Sequence, residues 1–222
     1  MLISGIITAA GSGSRFGEEK QFKVLAGKPL YQYSVDVFLQ SPLINEVILV
    51  VSGLNKELIS QQLKSNFDYK DIKVIAGGKT RMDSVKNGVI SSDNNSSLVC
   101  IHDAARPLIS RKLIEDTIAA CNDGDGAIVA IKAIDSIKYS KSKYIEKSIN
   151  RDNIWLAQTP QTFNKVKLLE AYKNLNMNPI NVTDESIIME EMGFQIELVK
   201  SSQSNIKITT ADDWKRVEDL IK

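Results

Sequence analysis

Short apolar runs alternate with segments of helical period along most of the chain. The first run, Ile3 to Ala10, is nearly continuous, as expected of a strand that is covered on both faces. Similar runs follow at residues 47–51, 72–76, 98–101 and 127–131. Because strands that alternate with helices at this spacing form parallel sheets, the pattern predicts an α/β fold with a doubly wound sheet.

Residues that favour helix ends mark several of the intervening helices. Pro29 is tolerated as the first residue of a helix, so a helix is predicted to begin there. Thr80 and Ser110 precede the next two predicted helices, and Gly124 follows the end of the second of these. The later predicted elements are helices near 165–175 and 184–192, strands near 196–199 and 206–208, and a last helix begun by Thr210.

The alternation breaks between Ala133 and Asn164. Residues 135–150 have the pattern of two short strands around a polar turn, with too few apolar positions for a central strand. We therefore expect a β-hairpin arm at about residues 134–152 that leaves the main sheet, within a single domain of residues 1–222. A two-stranded arm is only marginally stable by itself, so we expect it to pack on something, such as a second subunit.

Composition narrows the class of protein. The 222 residues are 43% hydrophobic and 25% charged, which is ordinary for a globular chain, and the formal charge of +1 gives no general attraction to nucleic acid or anionic membranes. The chain starts without the pattern of a signal peptide, and no apolar run reaches the ~18 residues that span a bilayer. Cys100 and Cys121 lack the spacing of a disulfide framework or a zinc site. We expect a soluble cytoplasmic protein that binds neither nucleic acid nor membrane.

The first candidate site is the glycine-rich segment at residues 9–20, directly after the first predicted strand. Glycines there let backbone N–H groups approach an oxyanion, while Arg15 and Lys20 supply positive charge. The segment is not a Walker A loop, and Phe16 stands where the third glycine of a dinucleotide fingerprint belongs. The segment predicts a polyphosphate site, although a plain glycine-rich connection with solvated charges stays open.

The second candidate site is residues 102–107, at the carboxyl end of the fourth predicted strand. Ligands bind at this edge of an open α/β sheet. Asp103 could orient a sugar hydroxyl or help hold Mg²⁺ through water, or it could form a structural ion pair with Arg106. His102 is the single histidine of the chain and has no cysteine partners, so we interpret it as structural.

Four further residues, Arg151, Thr159, Thr183 and Lys207, lie in segments that could contribute to a site. Arg151 suits bidentate phosphate recognition, and Pro160 fixes an extended or turn conformation around Thr159. Thr183 is predicted to cap a helix and could also donate to an anion there. Lys207 is predicted to end a short strand, where a lone lysine is usually a solvated edge charge.

Taken in order, these segments resemble the 2-C-methyl-D-erythritol 4-phosphate cytidylyltransferase family of the non-mevalonate isoprenoid pathway. The residues that carry the resemblance span nearly the whole chain and are 11–20, Gly77-Gly78 with Arg81 and Ser84, 102–107, 151–152, 159–161, 183–185 and 205–207. The resemblance implies transfer of CMP from CTP to the phosphorylated methylerythritol, with release of pyrophosphate and a need for Mg²⁺. It also implies a Rossmann-like, mostly parallel sheet of the nucleotidyltransferase type, and a homodimer joined through the arm.

The resemblance assigns roles to individual residues. Arg15 and Lys20 match the family pair that stabilises charge on the α-phosphate. Arg151 and Lys207 match the pair that positions the substrate phosphate, with Arg151 donated by the neighbouring subunit. The nucleotide-side positions are Ala9, Ala10, Gly11, Gly13, Gly78, Arg81, Ser84 and Asp103, and the further substrate-side positions are Asp103, Arg106, Thr159 and Thr183. Mg²⁺ would be held mainly by the CTP phosphates, with Asp103 as a candidate ligand.

Three alternatives remain. A ribitol-5-phosphate cytidylyltransferase shares most of these motifs, but the sequences at 104–106 and 183–186 favour the methylerythritol enzyme. A non-catalytic nucleotide-binding dimer would not need both Arg15 and Lys20. An NAD-dependent oxidoreductase is disfavoured by the missing third glycine.

Overall fold

Seven strands form one central sheet in the computed structural model of the chain, which describes residues 1–13, 16–122, 124–175 and 182–222. The strands are β1 (Leu2–Ala9), β2 (Val24–Leu25), β3 (Lys28–Pro29), β4 (Glu46–Val51), β5 (Lys73–Ala76), β6 (Ser96–Asp103), β7 (Gly126–Lys132), β8 (Ile137–Tyr139), β9 (Lys147–Ile149), β10 (Trp155–Asn164) and β11 (Ile196–Lys200). The helices are α1 (Leu30–Gln40), α2 (Lys56–Lys64), α3 (Arg81–Ser91), α4 (Arg111–Cys121), α5 (Lys165–Asn174), α6 (Glu185–Glu191) and α7 (Ala211–Ile221), with 3₁₀ turns at Lys20–Phe22 and Phe67–Tyr69.

The central sheet is mostly parallel, as the sequence pattern predicts. Its strand order is β11-β7-β10-β6-β1-β4-β5, and β10 alone runs antiparallel, between β6 and β7. The apolar pattern did not predict β10, because polar residues such as Thr159, Gln161 and Thr162 occupy the strand and are nevertheless buried. This inserted strand brings residues from beyond the arm to the middle of the sheet.

Apolar side chains fill the space on both faces of the sheet, which confirms the doubly wound arrangement. Ile3 and Ile7 of β1 point into one cluster with α1, α2 and α4, whereas Ile6 points into the other with α3, α5 and α6. All three are almost wholly buried, and burial of one such side chain stabilises the fold by about 1.5–3 kcal/mol. The core therefore holds the carboxyl ends of the strands in a fixed arrangement.

A third, smaller apolar cluster lies around the C-terminal helix, and we call it the C-terminal cluster. Its buried members are Leu25, Leu30, Ile208 and Val217, and its partly buried members are Phe16, Tyr33, Leu108, Ile206, Trp214 and Ile221. The cluster thus joins the segment after β1, the β2–β3 hairpin, the start of α1, the 206–208 segment and α7.

Three predicted helix starts are confirmed by hydrogen bonds. The Thr80 and Thr210 side chains each accept from the backbone of an aspartate three residues on, which returns a bond and completes a capping box. The Ser110 side chain accepts from the backbone N–H of Leu113. Side-chain caps of this kind satisfy N–H groups that the first helical turn leaves free.

Four helix and strand assignments differ from the prediction. α1 begins at Leu30, so Pro29 precedes the helix rather than starting it. Asp184, not Thr183, caps α6, because the Asp184 carboxylate is the acceptor for the Ser186 backbone N–H at 3.0 Å. Residues 206–208 form no strand: Ile206 N donates to the nearby Ser204 O at 2.8 Å, and Ile208 N donates to Ala105 O at 2.8 Å, without a ladder of paired residues. Helix α2 was not specified in advance, because it buries only Ile59 and Leu63.

The hairpin arm is present at the predicted place. β8 and β9 pair with each other as a separate two-stranded antiparallel sheet, with Ile137 opposite Ile149. Tyr144 and Ile145, at the end of the hairpin, are more than 60% exposed. In a single chain the arm therefore leaves apolar side chains in contact with solvent.

Both cysteines are free thiols in the core, and burial raises the pKa of Cys100 and of Cys121 to about 12. Within the described ranges, no helix has the length and apolar character needed to cross a membrane.

Candidate active site

A cavity of about 400 Å³ opens at the carboxyl ends of β1 and β6. These strands are parallel neighbours, with Thr8 opposite Asp103, so the segments that follow them lie side by side. The lining comprises Thr8, Ala9, Ala10, Gly11, Ser12, Gly13, Lys20, Gln21, Gly78, Lys79, Thr80, Arg81, Ser84, Asp103, Ala104, Ala105 and Lys207. It includes every residue that the family resemblance assigned to the nucleotide side, and we call it the first cavity.

The glycine-rich segment turns sharply on its way around this cavity. Gly13 has a φ of +66°, and a Cβ atom there would overlap the carbonyl oxygen of Glu18, so a glycine is required. The backbone N–H groups of Phe16 and Gly17 both donate to Gly13 O at 2.8 Å. The turn places Lys20, at the start of the following 3₁₀ helix, on the cavity wall. Arg15 lies outside the described residues.

A buried glutamine supports the same segment. Gln21 is 5% exposed, and its Nε2 donates to Gly11 O at 2.7 Å. This bond ties the two ends of the glycine-rich segment together. No sequence motif marks Gln21, although its position beside Lys20 could have suggested it.

The opposite wall of the first cavity comes from the turn that leads into α3. Gly78 N donates to Ser84 Oγ at 3.1 Å, and Ser84 Oγ donates to Thr80 O at 2.9 Å. A Cβ atom at Gly78 would overlap the side chain of Asp83, so the turn requires glycine there too. The turn sets the start of α3, and with it Arg81, against the cavity.

Four charged residues form a continuous network at the base of the cavity, which we call the charged network. Asp103 Oδ1 accepts from Arg81 Nε at 3.1 Å, and Asp103 Oδ2 accepts from Lys207 Nζ at 2.5 Å. Arg81 Nη1 donates to Glu185 Oε2 at 2.7 Å. Two cations and two carboxylates from four separate segments thus balance one another within hydrogen-bond distance.

Burial and charge act in opposite directions on the two carboxylates. Burial by itself would raise the pKa of Asp103, but Arg81 and Lys207 outweigh it and hold that pKa well below its usual range. Glu185 has no exposed surface, and its burial raises the pKa of the carboxyl group even though Arg81 opposes the shift. Asp103 is therefore an anion at neutral pH, and its role is to hold cations rather than to accept a proton.

The side chains of Arg106 and His102 bond groups outside the charged network, although the charge of Arg106 still helps to lower the pKa of Asp103. Arg106 Nη1 donates to Asn205 O at 2.8 Å, so the Asp103–Arg106 ion pair considered above is wrong. His102 contacts Arg106 O at 3.1 Å through Nε2 and Thr159 Oγ1 at 3.0 Å through Nδ1. Burial lowers the pKa of His102 to about 4, so the ring is neutral. His102 holds the segment after β6 in place, which confirms that it is structural.

A second cavity, of about 410 Å³, adjoins the first and shares Arg81, Asp103 and Lys207 with it. Its other lining residues are Arg106, Trp155, Leu156, Ala157, Gln158, Thr159, Gln161, Thr183 and Asp184. Thr159 Oγ1 accepts from the backbone N–H of Asp103 at 3.1 Å, which ties β10 to the charged network. The charged network therefore forms the boundary between the two cavities.

One of the described candidate residues is not brought to either cavity. Arg151 is exposed at the base of the arm, where its guanidinium donates to Ile134 O. Within one chain, the two cavities thus bring together all the substrate-side residues that the resemblance implies, except for Arg151.

Two buried residues of the site, Glu185 and Asn205, lie within motifs of the sequence but have no role of their own assigned from it. Glu185 belongs to a quoted motif, but nothing in the sequence marks it as a wholly buried partner of Arg81. Asn205 is 1% exposed, and its Nδ2 donates to Thr159 O at 2.9 Å. Only the packing of distant segments makes these contacts visible.

The described residues offer little direct coordination to a metal. No group of three or more His, Cys, Asp or Glu side chains in the described ranges could hold a metal ion. Asp103 is the one carboxylate that the described residues place on the first cavity, and both of its oxygens already bond cations. This fits Mg²⁺ provided that phosphates and water supply most of its ligands.

Comparison with known families decides between the enzyme classes that this geometry allows. The family model of 2-C-methyl-D-erythritol 4-phosphate cytidylyltransferase (IspD) matches residues 3–222. The chain belongs to this family. A 2-C-methyl-D-erythritol 4-phosphate cytidylyltransferase of Alkaliphilus oremlandii is 35% identical over 99% of this chain and 94% of that protein. One of Clostridium acetobutylicum is 36% identical over 98% and 96%.

A solved structure agrees with the family assignment. The crystal structure of 4-diphosphocytidyl-2C-methyl-D-erythritol synthase from Anaerococcus prevotii matches with a TM-score of 0.86 and 31% identity, over 99% of this chain and 98% of that one. The Rossmann-like sheet is therefore of the nucleotidyltransferase type found in the 2-C-methyl-D-erythritol 4-phosphate cytidylyltransferase family.

Proposed function

We propose that this chain transfers CMP from CTP to 2-C-methyl-D-erythritol 4-phosphate, which releases pyrophosphate and forms 4-diphosphocytidyl-2-C-methyl-D-erythritol. The observation that carries the proposal is the pair of adjoining cavities that meet at Asp103. A transfer between two phosphorylated molecules needs two such sites in contact. Family membership over residues 3–222 supplies the identity of both substrates.

The proposed reaction needs alignment and positive charge rather than a covalent residue. A phosphate oxygen of the polyol phosphate attacks the α-phosphorus of CTP, and pyrophosphate leaves. Both reactants are anions, so catalysis depends on holding them in line and stabilising the charge that builds up on the α-phosphate. His102 is neutral and buried, so it takes no part in this step.

The first cavity is the proposed CTP site. Backbone N–H groups of the glycine-rich segment at 10–13 suit the triphosphate, and Lys20 on the same wall suits the charge on the α-phosphate. Arg15 is proposed as the second cation of this pair. Ala9, Ala10 and Gly11, together with Ser84 on the opposite wall, are proposed to face the cytosine, and Gly78 is proposed to contribute to the same nucleotide site.

The second cavity is the proposed site of the polyol phosphate. Lys207 is proposed to bind the phosphate of this substrate, with Arg106, Thr159 and Thr183 on the surrounding wall. The Asp103 carboxylate bonds Lys207 Nζ at 2.5 Å and so keeps the ammonium at the boundary of the two cavities. Mg²⁺ bound by the CTP phosphates, with Asp103 as a candidate ligand, would add positive charge at this boundary.

Arg151 is proposed to come from a second subunit. It lies outside both cavities of its own chain, on an arm with exposed apolar side chains, as expected if the arm crosses to a partner in a homodimer. The first cavity alone draws residues from positions 8 to 207, so we propose that residues 1–222 act as one domain.

Pyrophosphate release from CTP and Mg²⁺ tests the proposal directly. We expect turnover with 2-C-methyl-D-erythritol 4-phosphate and little with ribitol 5-phosphate, and Lys20→Ala is the matched inactive control. Equal or better turnover of ribitol phosphate would contradict the substrate assignment. Turnover of neither, with CTP binding seen by calorimetry, would indicate a non-catalytic nucleotide-binding dimer.

A further inference from the structure

An aromatic pair lies against the glycine-rich segment, apart from the charged network. The rings of Phe16 and Trp214 are 5.6 Å apart between centroids, with 45° between their planes. Phe16 belongs to the segment that follows β1, whereas Trp214 lies in the first half of α7, near the other end of the chain. The last helix of the protein therefore contacts the segment that is proposed to bind the triphosphate.

Two lysines lie over these rings. Lys20 Nζ is 5.6 Å from the centroid of Phe16, and Lys23 Nζ is 5.6 Å from Phe16 and 5.3 Å from Trp214. These distances are within the range at which an ammonium group is attracted to the face of an aromatic ring. Lys20 also lines the first cavity, so the same side chain contacts the aromatic pair and faces the nucleotide site.

The position of Trp214 is fixed by the helix that carries it. Thr210 and Asp213 form a capping box at the start of α7, and Asp213 also accepts hydrogen bonds from Thr209. Val217, less than one turn after Trp214, is fully buried in the C-terminal cluster. Trp214 is thus a fixed support, and the glycine-rich segment rests on it through Phe16.

We propose that Trp214 is a positioning residue for CMP transfer: it holds Phe16, and Phe16 holds the Lys20 ammonium beside the cavity until CTP enters. The inference rests on the proposed role of Lys20. A phosphate interacts more strongly with an ammonium than an aromatic face does, because the hydrogen bond joins two full charges. The triphosphate should therefore draw Lys20 away from Phe16, and the contact between the rings should change.

Kinetics of matched variants form the first test. Trp214→Leu and Phe16→Leu keep apolar bulk but remove a ring, and we expect kcat to fall about 10-fold with KM for CTP changed less than about twofold, because Lys20 is then less well placed. Trp214→Phe keeps a ring, and it should retain most of kcat; it also keeps the test valid should the leucine variant fail to fold. Unchanged kcat in both leucine variants would overturn the inference.

Val217→Ala is the control for simple loss of packing. It shortens a buried side chain of the same helix but leaves both rings, so we expect a lower Tm with kcat within about twofold of wild type. A loss of kcat equal to that of Trp214→Leu would show that α7 has only a structural role, and this would contradict the inference.

A spectroscopic test reports on Trp214 itself. The chain has two tryptophans, so protein labelled with 5-fluorotryptophan should give two ¹⁹F signals, and Trp214→Phe assigns one of them. We expect CTP with Mg²⁺ to shift the Trp214 signal in wild type, and to shift it much less in Lys20→Ala at saturating CTP. Calorimetry separates the possible failures: bound CTP with no Trp214 response contradicts this inference alone, whereas absence of CTP binding contradicts the proposed function as well.

Discussion

The two regions that carry the proposed substrate-side cations hold them in opposite ways. Lys207 is bonded to Asp103, whose side chain is 9% exposed, within a network that draws on α3, β6, α6 and the segment before α7. Arg151 lies exposed on the arm, where its guanidinium bonds only a backbone carbonyl among the contacts described. One cation is placed by the interior of its own chain, and the other is available to a partner.

The physical basis of this difference is burial. Removing charges from water is costly, so the interior network holds together only because every carboxylate in it has a cationic partner. The arm pairs two strands of three residues each, and such a hairpin is marginal alone. The interior half of the site is therefore organised before substrate binds, whereas we expect the arm to become ordered through its partner.

The largest expected effect comes from breaking the interior network at its centre. Asp103→Ala leaves Arg81 and Lys207 without their shared anion, so we expect the free energy of unfolding to fall by about 3–5 kcal/mol. Activity should fall by roughly 10²- to 10³-fold, because Lys207 is no longer held at the boundary. Urea unfolding and steady-state pyrophosphate release measure the two effects.

The matched control for Asp103 is an exposed ion pair. Asp116 pairs with Lys112 one helical turn away at 2.7 Å on the surface of α4, so Asp116→Ala should cost no more than about 1 kcal/mol. If Asp103→Ala and Asp116→Ala lower the free energy of unfolding by similar amounts, the interior network contributes no more to stability than a surface ion pair does.

The next prediction distinguishes the proposed roles of the two cavities by the kinetic constant that each lysine affects. Lys20→Ala should lower kcat by roughly 10²-fold with KM for CTP nearly unchanged, because its charge is needed most as the α-phosphate is attacked. Lys207→Ala should instead raise KM for the polyol phosphate while CTP binding persists. Initial rates and calorimetry with CTP alone distinguish the two. A large loss of CTP affinity in Lys207→Ala would contradict the division between the cavities.

Mixed subunits test the arm. If Arg151 crosses a dimer, refolding equal amounts of Lys20→Ala and Arg151→Ala chains makes half of the dimers mixed, and each mixed dimer has one site with both lesions and one with none. Activity should then recover to roughly one quarter of wild type under two-fold symmetry. If mass spectrometry confirms subunit exchange but activity does not recover, Arg151 does not complete the site of the partner subunit. The arm would then have a structural role at most.

The smallest expected effect is the loss of stability that His102 causes as pH falls. Burial lowers the pKa of His102 from 6.5 to about 4, so the unfolded chain binds a proton that the folded chain does not. This contribution to stability is complete above pH 6.5 and is lost as pH falls toward 4. His102→Asn should reduce the slope of unfolding free energy against pH in that window.

The His102 ring itself can be observed directly. The chain has one histidine, so its NMR titration is unambiguous, and we expect a midpoint near pH 4. A midpoint near 6.5 would show that the interior is open to water at this position. The arm contains no histidine, so it adds nothing to this pH dependence of the unfolding free energy.

Local sequence patterns were sufficient to predict much of the fold and the types of residue at the candidate site. Continuous apolar runs predicted β1, β4, β5, β6 and β7 because a strand buried on both faces must be apolar throughout. β10 was missed for the same reason, since its polar residues are buried by hydrogen bonds to other segments. Lys207 was predicted to end a strand because its neighbours Ile206 and Ile208 are apolar. Those two side chains instead pack in the C-terminal cluster, and the segment forms no strand.

By itself, the sequence determined the mostly parallel α/β architecture, the position of the glycine-rich segment directly after β1, and the residue types that the resemblance assigned to phosphates, because each depends on neighbours a few positions away. Only the tertiary structure decided which charges meet. Asp103 could have paired with Arg106, three residues on, but it bonds Arg81 and Lys207, and Arg81 reaches Glu185. Those pairings join segments about 20 to 100 residues apart, and the packing of the sheet and its helices, rather than local spacing, brings such side chains within hydrogen-bond distance.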